Sequence, residues 1–551
     1  MTPTAGRHDR EHLVALDKAH VWHPFTQMQG WLASEPLIVE RAEGCWLIDT
    51  EGRRYIDGVS SLWVNVHGHG VPEIDEAITE QLGRVAHSTL LGLAGVPSIE
   101  LAAELVALAP AGLDKVFYCE AGASAVEVAL KMAFGYWRHR GVETKTTFLS
   151  LDHGYHGDTL GAVAVGGIDL FHGAYRPLLF PTFRAPSPYC YRCPLSLAYP
   201  SCGIGCLEPM AEVLELHADE ICAVIVEPLV QAAGGMITAP PGYLRRVREL
   251  CDSHDVLLIV DEVATGVGRT GTFFACEQEG VAPDILVAGK GLTGGYLPLA
   301  ATLTTQRVFD AFLGDPAAGK TFFHGHTYTG NPLACVAALA NLDLMRKRDT
   351  LGGVRERGEI LGEALAPLNG HPHVGDVRRR GLMVGIELVA DKPSRRRYEA
   401  AETMGARVAA AAREAGAVIR PLGDVVVLMP PLAIPIPDLL QLASITRAAI
   451  EAVTAWLIPW AGAPASWPGW NGRDCGATPG RCRPPRGRRW SWTAGGCSSS
   501  APTTTSAWPP IRGFAGQLRP RPGGGERAPA PPGSYRAPAT CTGPSRRRWP
   551  G

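Results

Sequence analysis

Short runs of hydrophobic residues alternate with longer, helix-like segments through the middle of the chain. Two of these runs, residues 256–260 and 285–288, are rich in Val, Ile and Leu. Such runs are typical of strands that are covered on both faces in a parallel sheet. Asp261 directly follows the first run, and Lys290 follows the second after one glycine. Because ligands of open α/β sheets bind outside the carboxyl ends of the strands, we expect both charged side chains to face one cavity.

The same alternation predicts the neighbouring strands of this sheet and the helices that cover it. Strands are predicted at residues 115–119, 146–151 and 222–226. Helices are predicted at about residues 72–87, 97–109, 122–137, 241–254 and 332–346. Regular alternation of strands and helices indicates an α/β fold, whose large domain is built on a mostly parallel, doubly wound sheet.

A smaller α+β domain is predicted from both ends of the chain. Near the N-terminus, apolar positions alternate around a glycine turn over residues 37–57, which predicts a hairpin. Towards the C-terminus, two helices flank a strand at residues 381–388, and a further strand precedes a closing helix at residues 435–456. The predicted parts are 1–70 for the N-terminal segment of the small domain, 71–345 for the large domain, 346–456 for the C-terminal part of the small domain and 457–551 for a tail.

The tail differs in composition from the rest of the chain. Pro, Gly, Ser, Thr, Ala and Arg dominate it without any sustained period, so we expect it to be disordered. Beyond residue 455 the chain has 14 Arg and 2 acidic residues, a charge of +12 that leaves −14 for the remainder of a chain with net charge −2. A basic arm for nucleic acid is one hypothesis. We prefer out-of-frame translation of a G/C-rich gene, which resequencing tests. The acidic remainder argues against nucleic acid as its partner.

Compartment and redox state follow from the hydrophobic and cysteine content. The chain has no hydrophobic run of membrane-spanning length and no apolar signal-peptide core at its start, so we expect a cytoplasmic protein without a membrane span. The 14 cysteines are then expected to be reduced. Cys190, Cys193, Cys202 and Cys206 have the paired spacing of a four-thiolate zinc site. We favour reduced thiols and predict no metal, because the spacer between the pairs is short for a zinc module.

Lys290 and Asp261 form the candidate catalytic pair. A lysine in a desolvated pocket has a lowered pKa and can form a Schiff base with an aldehyde. An aspartate that faces it can hold the protonated ring nitrogen of pyridoxal 5'-phosphate. Gly122 begins a helix whose free N–H groups favour a phosphate, and Tyr155 follows a strand, where its ring can stack on a flat cofactor. The alternative is that these residues only end strands and begin a helix.

Several separated motifs agree in order with one enzyme family. They are Trp22-His-Pro-Phe25, Gly58-Val-Ser-Ser-Leu-Trp63, Gly122 followed by Val-Glu-Val, the segment 152–158 around Tyr155, Asp261-Glu-Val-Ala-Thr-Gly, Lys290, and Gly325-His-Thr-Tyr-Thr-Gly-Asn-Pro. With them, residues 12–455 resemble the class III, fold-type I pyridoxal-phosphate aminotransferases, and more narrowly the 7,8-diaminononanoate synthases of biotin biosynthesis. The resemblance implies transamination of 8-amino-7-oxononanoate to 7,8-diaminononanoate by a homodimer whose active sites lie at the subunit interface.

The resemblance also implies roles for individual residues. Lys290 would bond to the cofactor and move the proton, with Asp261 at the ring nitrogen and Tyr155 over the ring as further catalytic residues. Cofactor-binding roles fall on Gly122, Ala123, Tyr155, Asp261, Val263, Lys290, His326 and Thr327. Substrate-binding roles fall on Phe25, Leu62, Trp63, Tyr155, Lys290, Gly325 and Arg420. His326 and Thr327 would act in the site of the neighbouring subunit, and Arg420 would pair with the substrate carboxylate.

Departures from the family pattern leave the amino donor open. The resemblance implies S-adenosylmethionine, but members that use it have two adjacent Trp and an early Tyr where this chain has Leu62-Trp63 and Phe25. These residues and His326 are closer to the subgroup that uses L-lysine. Ala123 also replaces the serine of many phosphate turns. Two rivals are another class III ω-amino-acid aminotransferase or aminomutase, and a transcription regulator, for which the 21 residues before the fold are too short to form a DNA-binding helix pair.

Overall fold

The carboxyl ends of the two hydrophobic runs meet at one edge of a seven-stranded sheet, in a computed structural model that describes residues 9–455. Strands Leu257–Asp261 and Ile285–Ala288 are parallel neighbours, and Asp261 lies opposite Val287. Every residue of both strands is buried. The prediction of parallel strands covered on both faces is therefore confirmed for this pair.

The seven strands confirm the α/β class and the mostly parallel sheet. In spatial order they are Leu113–Cys119, Ala300–Thr305, Ile285–Ala288, Leu257–Asp261, Ile221–Val226, Thr147–Leu151 and Phe183–Ala185. Six run in the same direction, and Ala300–Thr305 is antiparallel to both of its neighbours. This antiparallel strand does not belong to the pattern that the sequence predicted.

Helices cover the sheet and form the periphery. They are Arg10–His20, Met28–Ala33, Pro72–Leu82, Val96–Leu108, Gly122–His139, Leu160–Val165, Asp169–His172, Glu208–His217, Tyr243–Ser253, Gln306–Asp310, Pro332–Lys347, Thr350–Leu365, Met404–Glu414 and Ile436–Thr454. Helix Gly122–His139 is central, because its buried residues include Val126, Ala133 and Trp137, which pack in one hydrophobic cluster with the sheet. The helix predicted to reach residue 87 ends at Leu82.

Two smaller four-stranded sheets follow, of which the first takes strands from both ends of the described chain and the second only from its C-terminal part. One contains Val39–Glu43, Trp46–Asp49, Arg54–Asp57 and Ala417–Val418, and the other contains Val374–Arg380, Met383–Leu388, Val425–Leu428 and Arg420–Leu422. Val418 pairs in parallel with Asp57, so the N-terminal and C-terminal segments share one sheet. The predicted hairpin is instead a three-stranded meander, because the chain turns at both Gly44 and Gly52, each with positive φ.

Some predictions remain outside this description. The disordered or out-of-frame tail, and the basic arm that is the alternative, lie outside the described residues. The domain boundaries at residues 70 and 345 stay predictions. Within residues 9–455, no helix has the length and hydrophobicity needed to cross a membrane.

Candidate active site

A cavity of about 230 Å³ lies at the carboxyl ends of the central strands. Seven residues that the sequence predicted for the site line it: Trp63, Gly122, Ala123, Tyr155, Asp261, Val263 and Lys290. The other residues of its wall are His156, Gly157, Asp158, Glu227, Ala232, Ala233 and Ala264. Strand exits, one helix start and one N-terminal turn therefore converge on a single space.

Lys290 is held in this cavity by an unusual backbone. It follows Gly289 after the strand Ile285–Ala288, and its φ of 46° is in the left-handed region, which non-glycine residues rarely adopt. Burial lowers the pKa of the Lys290 amine, while the nearby Asp261 and Glu227 act in the opposite direction. A lowered pKa increases the neutral fraction of the amine, which is the form that attacks a carbonyl carbon. The Nζ atom lies 5.4 Å from the centre of the Trp63 ring.

Asp261 is buried and oriented by two hydrogen bonds. Its Oδ2 lies 2.7 Å from Nδ1 of His156, and its Oδ1 accepts the backbone N–H of Val263 at 3.0 Å. Both side chains of the His156–Asp261 pair are almost inaccessible to solvent. A carboxylate that is held in this way has a fixed direction, and each oxygen retains a lone pair for a further donor.

Glu227 places a second carboxyl group in the cavity wall. It accepts the backbone N–H groups of Tyr155 at 3.1 Å and Ala232 at 2.8 Å. Burial raises its pKa to about 7; the charge of Asp261 adds to this effect, and His156 opposes it. Glu227 can therefore hold or release a proton near neutral pH beside the Lys290 amine.

The start of helix Gly122–His139 has free N–H donors that can bind an anion. Its N-cap residue is Ala121, which provides no side-chain hydrogen bond, so the N–H groups of the first turn keep their donor capacity. Space around this turn is tight. A Cβ on Gly122 would lie 2.7 Å from Cγ1 of Val263, and one on Gly157, whose φ is 123°, would lie 2.4 Å from Cβ of Ala123. Glycine is required at both positions for the backbone to line the cavity.

Tyr155 is part of the cavity wall. Its hydroxyl donates to Oδ2 of Asp158 at 2.7 Å. Burial and this neighbouring carboxylate raise the pKa of the Tyr155 phenol, so the ring stays neutral at physiological pH. Tyr155 is thus a rigid, uncharged wall that remains available for stacking.

Six predicted site residues do not line the cavity. Gly325, His326 and Thr327 belong to a segment in which Nδ1 of His326 lies 2.5 Å from Oε2 of Glu120. Phe25, Leu62 and Arg420 also lie outside the wall, although the Arg420 guanidinium is 5.8 Å from the centre of the Phe25 ring. The described chain by itself therefore brings together the predicted catalytic pair but only part of the predicted binding set.

The sequence reasoning missed His156, Asp158 and Glu227 as site residues. The signal for Glu227 was present, because it follows the strand Ile221–Val226 and so occupies the same kind of strand exit as Asp261. His156 lies next to Tyr155 in the loop after Thr147–Leu151, and only its contact with Asp261 distinguishes it from other loop histidines.

The four paired cysteines lie on a loop away from the cavity. Cys190 is exposed and Cys206 is buried. Among residues 9–455, no group of three or more His, Cys, Asp or Glu side chains is arranged to hold a metal ion. Burial, and then the neighbouring thiols of this group, raise the pKa of Cys190 and Cys206, so the absence of a metal stays a prediction.

Glu262, the residue after Asp261, makes the stability of the protein dependent on pH. It is fully buried, and it accepts hydrogen bonds from the Thr265 hydroxyl at 2.6 Å and the Cys276 N–H at 2.8 Å. Burial raises its pKa from 4.5 to about 7. Between these values the folded state keeps a proton that the unfolded state has released, so a rise in pH across this window destabilises the fold.

We expect the substitution Glu262→Gln to remove this dependence. The free energy of unfolding of the wild type, measured relative to E262Q, should fall by on the order of 3 kcal/mol as the pH rises from about 4 to about 8. Urea unfolding of both proteins at several pH values measures the difference. E249Q, on an exposed helix surface, is the control that should leave the wild-type profile unchanged. A difference between wild type and E262Q that does not vary with pH would contradict the raised pKa.

Comparison with known proteins places the chain in one enzyme family. Residues 30–450 match the family model described as aminotransferase class-III. The chain is 58% identical over 455 residues to a protein of Nitratidesulfovibrio vulgaris named adenosylmethionine-8-amino-7-oxononanoate aminotransferase, which covers 82% of this chain and 84% of that protein. A protein of the same name from Geobacter sulfurreducens is 54% identical over 428 residues, with coverage of 78% and 94%.

Solved structures give the same result. The adenosylmethionine-8-amino-7-oxononanoate aminotransferase of Methanocaldococcus jannaschii superposes with a TM-score of 0.77 at 46% identity, covering 81% of this chain and 99% of that one. An (S)-enantioselective ω-transaminase from Thermomicrobium roseum superposes with a TM-score of 0.77 at 36% identity, with coverage of 80% and 98%. The family match spans most of the chain and these relatives are matched over 84% to 99% of their own length, so the protein belongs to the class III aminotransferase family.

Proposed function

We propose that this enzyme transfers an amino group from S-adenosylmethionine to 8-amino-7-oxononanoate and so forms 7,8-diaminononanoate for biotin biosynthesis. The observation that carries the reaction type is the cavity in which the Lys290 amine, with its lowered pKa, faces the buried Asp261 carboxylate. The choice of substrates rests on the relatives named above, which are 54% and 58% identical.

The walls of the cavity fit pyridoxal 5'-phosphate. The uncapped start of helix Gly122–His139 provides N–H donors for a phosphate group, and the glycines at 122 and 157 keep that space open. We propose that Gly122 and Ala123 hold the phosphate, that Asp261 holds the ring nitrogen, and that Val263 and Tyr155 enclose the ring. When bound, the cofactor supplies the electron sink that makes a substrate C–H bond acidic and carries the amino group from donor to acceptor.

The chain's own groups then orient the reactants and move protons. Nζ of Lys290 lies in a site with two carboxyl groups, so it can take up a proton from the substrate carbon and release it again. His156 keeps the Asp261 carboxylate in one direction through their 2.7 Å contact. Trp63, which is 5% exposed, borders the cavity beside the Lys290 amine, and we assign it the role of keeping water from that side.

Arg420 is the group that we propose to recognise the acceptor carboxylate. Burial lowers its pKa, and within residues 9–455 its guanidinium has no carboxylate partner. A half-buried guanidinium without a counter-charge is costly, and a substrate carboxylate would offset this cost with a charge-assisted pair. Phe25 packs near the same guanidinium, and we assign it, with Leu62 and Trp63, to the substrate wall.

We propose that the working enzyme is a cytoplasmic homodimer in which Gly325, His326 and Thr327 serve the site of the partner subunit. Their segment carries large apolar side chains that face solvent in the single chain. Phe323 is 81% exposed and Tyr328 is 57% exposed. A second copy that covers them would remove this apolar surface from water. Light scattering on the purified protein tests the proposal, and a monomer at micromolar concentration would contradict it.

A half-reaction assay tests the proposed donor. The purified enzyme is loaded with pyridoxal 5'-phosphate and mixed with one amine at a time, without acceptor, while the cofactor absorbance is followed. We expect S-adenosylmethionine to convert the cofactor, and 8-amino-7-oxononanoate to reverse the conversion. If L-lysine converts the cofactor and S-adenosylmethionine does not, the proposed acceptor is retained and the donor is L-lysine.

An ω-amino-acid aminotransferase is the second candidate, favoured by the structural match to an ω-transaminase at 36% identity. It predicts conversion of the cofactor by simple ω-amino acids and no reversal by 8-amino-7-oxononanoate. That pattern, with neither S-adenosylmethionine nor L-lysine active, would make the biotin assignment wrong.

A further inference from the structure

The turn that carries Trp63 is strained. Ser60, Ser61 and Trp63 have φ values of 51°, 61° and 66°, so three of four consecutive non-glycine residues lie in the region of positive φ. L-amino acids avoid this region because Cβ approaches the carbonyl oxygen, and such residues persist only where their surroundings enforce them. Trp63 is nevertheless buried, with its ring beside the Lys290 amine. Some neighbouring group must therefore stabilise the turn.

Asp57 is the group that contacts the turn directly. It ends strand Arg54–Asp57, is fully buried, and directs both carboxylate oxygens at Ser61. Oδ1 accepts the Ser61 N–H at 2.7 Å, and Oδ2 accepts the Ser61 hydroxyl at 3.0 Å. These bonds satisfy the backbone at the point where its φ is positive.

His69 completes the carboxylate's hydrogen bonds, and its tautomer follows from its neighbours. The Gly68 N–H donates to Oδ1 of Asn65 at 2.6 Å, so the Asn65 amide nitrogen must face Nδ1 of His69, 3.3 Å away. Nδ1 of His69 is then an acceptor, and Nε2 carries the proton. Nε2 lies 3.1 Å from Oδ2 of Asp57 and donates to it. The backbone of His69 is fixed in turn by two hydrogen bonds with Gly44.

Other contacts hold residues on either side of Ser61. The Ser60 hydroxyl donates to the Met429 carbonyl at 2.6 Å, and Arg269 donates to the Asn65 carbonyl at 2.9 Å. The carboxylate of Asp57 is therefore the contact made to Ser61 itself.

We propose that Asp57 and His69 are positioning residues, which hold the left-handed turn so that the Trp63 ring stays against the Lys290 amine. Neither residue lines the cavity, so they act through Trp63 and not on the reactants. The proposal rests on the proposed function only in assigning a catalytic role to Lys290. Its structural part, the dependence of the turn on Asp57, holds whatever the substrate is.

Hydrogen exchange and kinetics of Asp57→Ala, Asp57→Asn and His69→Ala test the proposal in the full-length holoenzyme. We expect exchange in peptides covering residues 58–66 to rise at least about tenfold in D57A and H69A, because the turn opens more often. The kcat should fall about 10- to 100-fold, since small displacements of a catalytic wall are costly. D57N keeps one acceptor for Ser61 and should lie between D57A and the wild type. Because the His69 side chain is partly exposed, we expect H69A to fold, and it therefore tests the proposal even if D57A does not fold.

Two comparisons separate positioning from general destabilisation. Asp49 is a buried aspartate of the same small sheet that bonds Arg53 and Tyr55. D49A should lower stability without altering exchange over residues 58–66. W63F combined with H69A should be no slower than W63F alone, because both act through one ring.

Unchanged exchange in D57A and H69A, an equal rise in exchange over residues 58–66 in D49A, or additive kinetic losses with W63F would overturn the proposal. If the wild type transaminates no donor, the proposed function fails while the exchange result still decides whether Asp57 and His69 hold the turn.

Discussion

Lys290→Ala is expected to lower transamination by about 10⁴-fold or more, the loss that follows removal of a group that both bonds to a cofactor and moves protons. The amine is the lysine nitrogen that lines the cavity, and burial lowers its pKa beside Asp261 and Glu227. A folded K290A protein should still bind pyridoxal 5'-phosphate at the helix start without a covalent bond. Steady-state assays and the cofactor absorbance measure the two effects.

Lys145 is a matched control for Lys290 within the same protein, and reduction with borohydride compares the two lysines. Lys145 is another buried lysine with a lowered pKa, but it donates to the Ile221 and Asp255 carbonyls and lies outside the cavity. Peptide mapping after reduction should find the cofactor mass on Lys290 and not on Lys145. Lys290→Arg retains the positive charge and should be as inactive as K290A. Activity in K290R, or a label on another lysine, would refute the role of Lys290.

The ends of the strands show how much of the fold and the site could be predicted from the sequence. Apolar runs of five and four residues predicted buried parallel strands, and the charged residues after them predicted that Asp261 and Lys290 share one cavity, because strand direction determines which ends converge. The strand Ala300–Thr305 was missed, since Ala and Thr give no hydrophobic run. It is buried between two strands of the sheet, where the Thr302 hydroxyl donates to the Ala125 carbonyl and the Thr304 hydroxyl to the Asp284 carbonyl. Those partners are distant in sequence.

Contacts between distant loops also limited the prediction of the site. The His156–Asp261 pair joins residues 105 positions apart, and no local pattern at either residue specifies it. The same holds for Asp57 and His69, which appear in the sequence only as a strand end and a loop histidine. His326 and Thr327 were predicted from the family resemblance; they lie outside the cavity of the single chain, and their role in a neighbouring subunit stays a proposal.

Asp261→Asn is the second substitution with a large expected effect. The carboxylate is fixed by His156 and by the Val263 N–H, so the amide can occupy the same space with little loss of packing. It would lack the negative charge that stabilises a protonated ring nitrogen. We expect kcat/KM to fall on the order of 10²- to 10³-fold, the range for loss of one preorganised electrostatic partner. The donor half-reaction, measured in a single turnover, isolates this step from product release.

Asp284→Asn is the matched control, because it removes a buried carboxylate from the opposite end of the adjacent strand. Asp284 accepts from Arg248 at 2.8 Å and from the Leu258 N–H at 2.8 Å, just before strand Ile285–Ala288. Breaking this pair should cost about 3 kcal/mol of stability while the half-reaction rate of the folded protein stays near that of the wild type. If D261N and D284N slow the half-reaction equally, the effect of Asp261 is loss of sheet stability. An electrostatic role for Asp261 requires two results together. D261N should slow the half-reaction while keeping the wild-type melting temperature, and D284N should be less stable while keeping a near wild-type half-reaction rate.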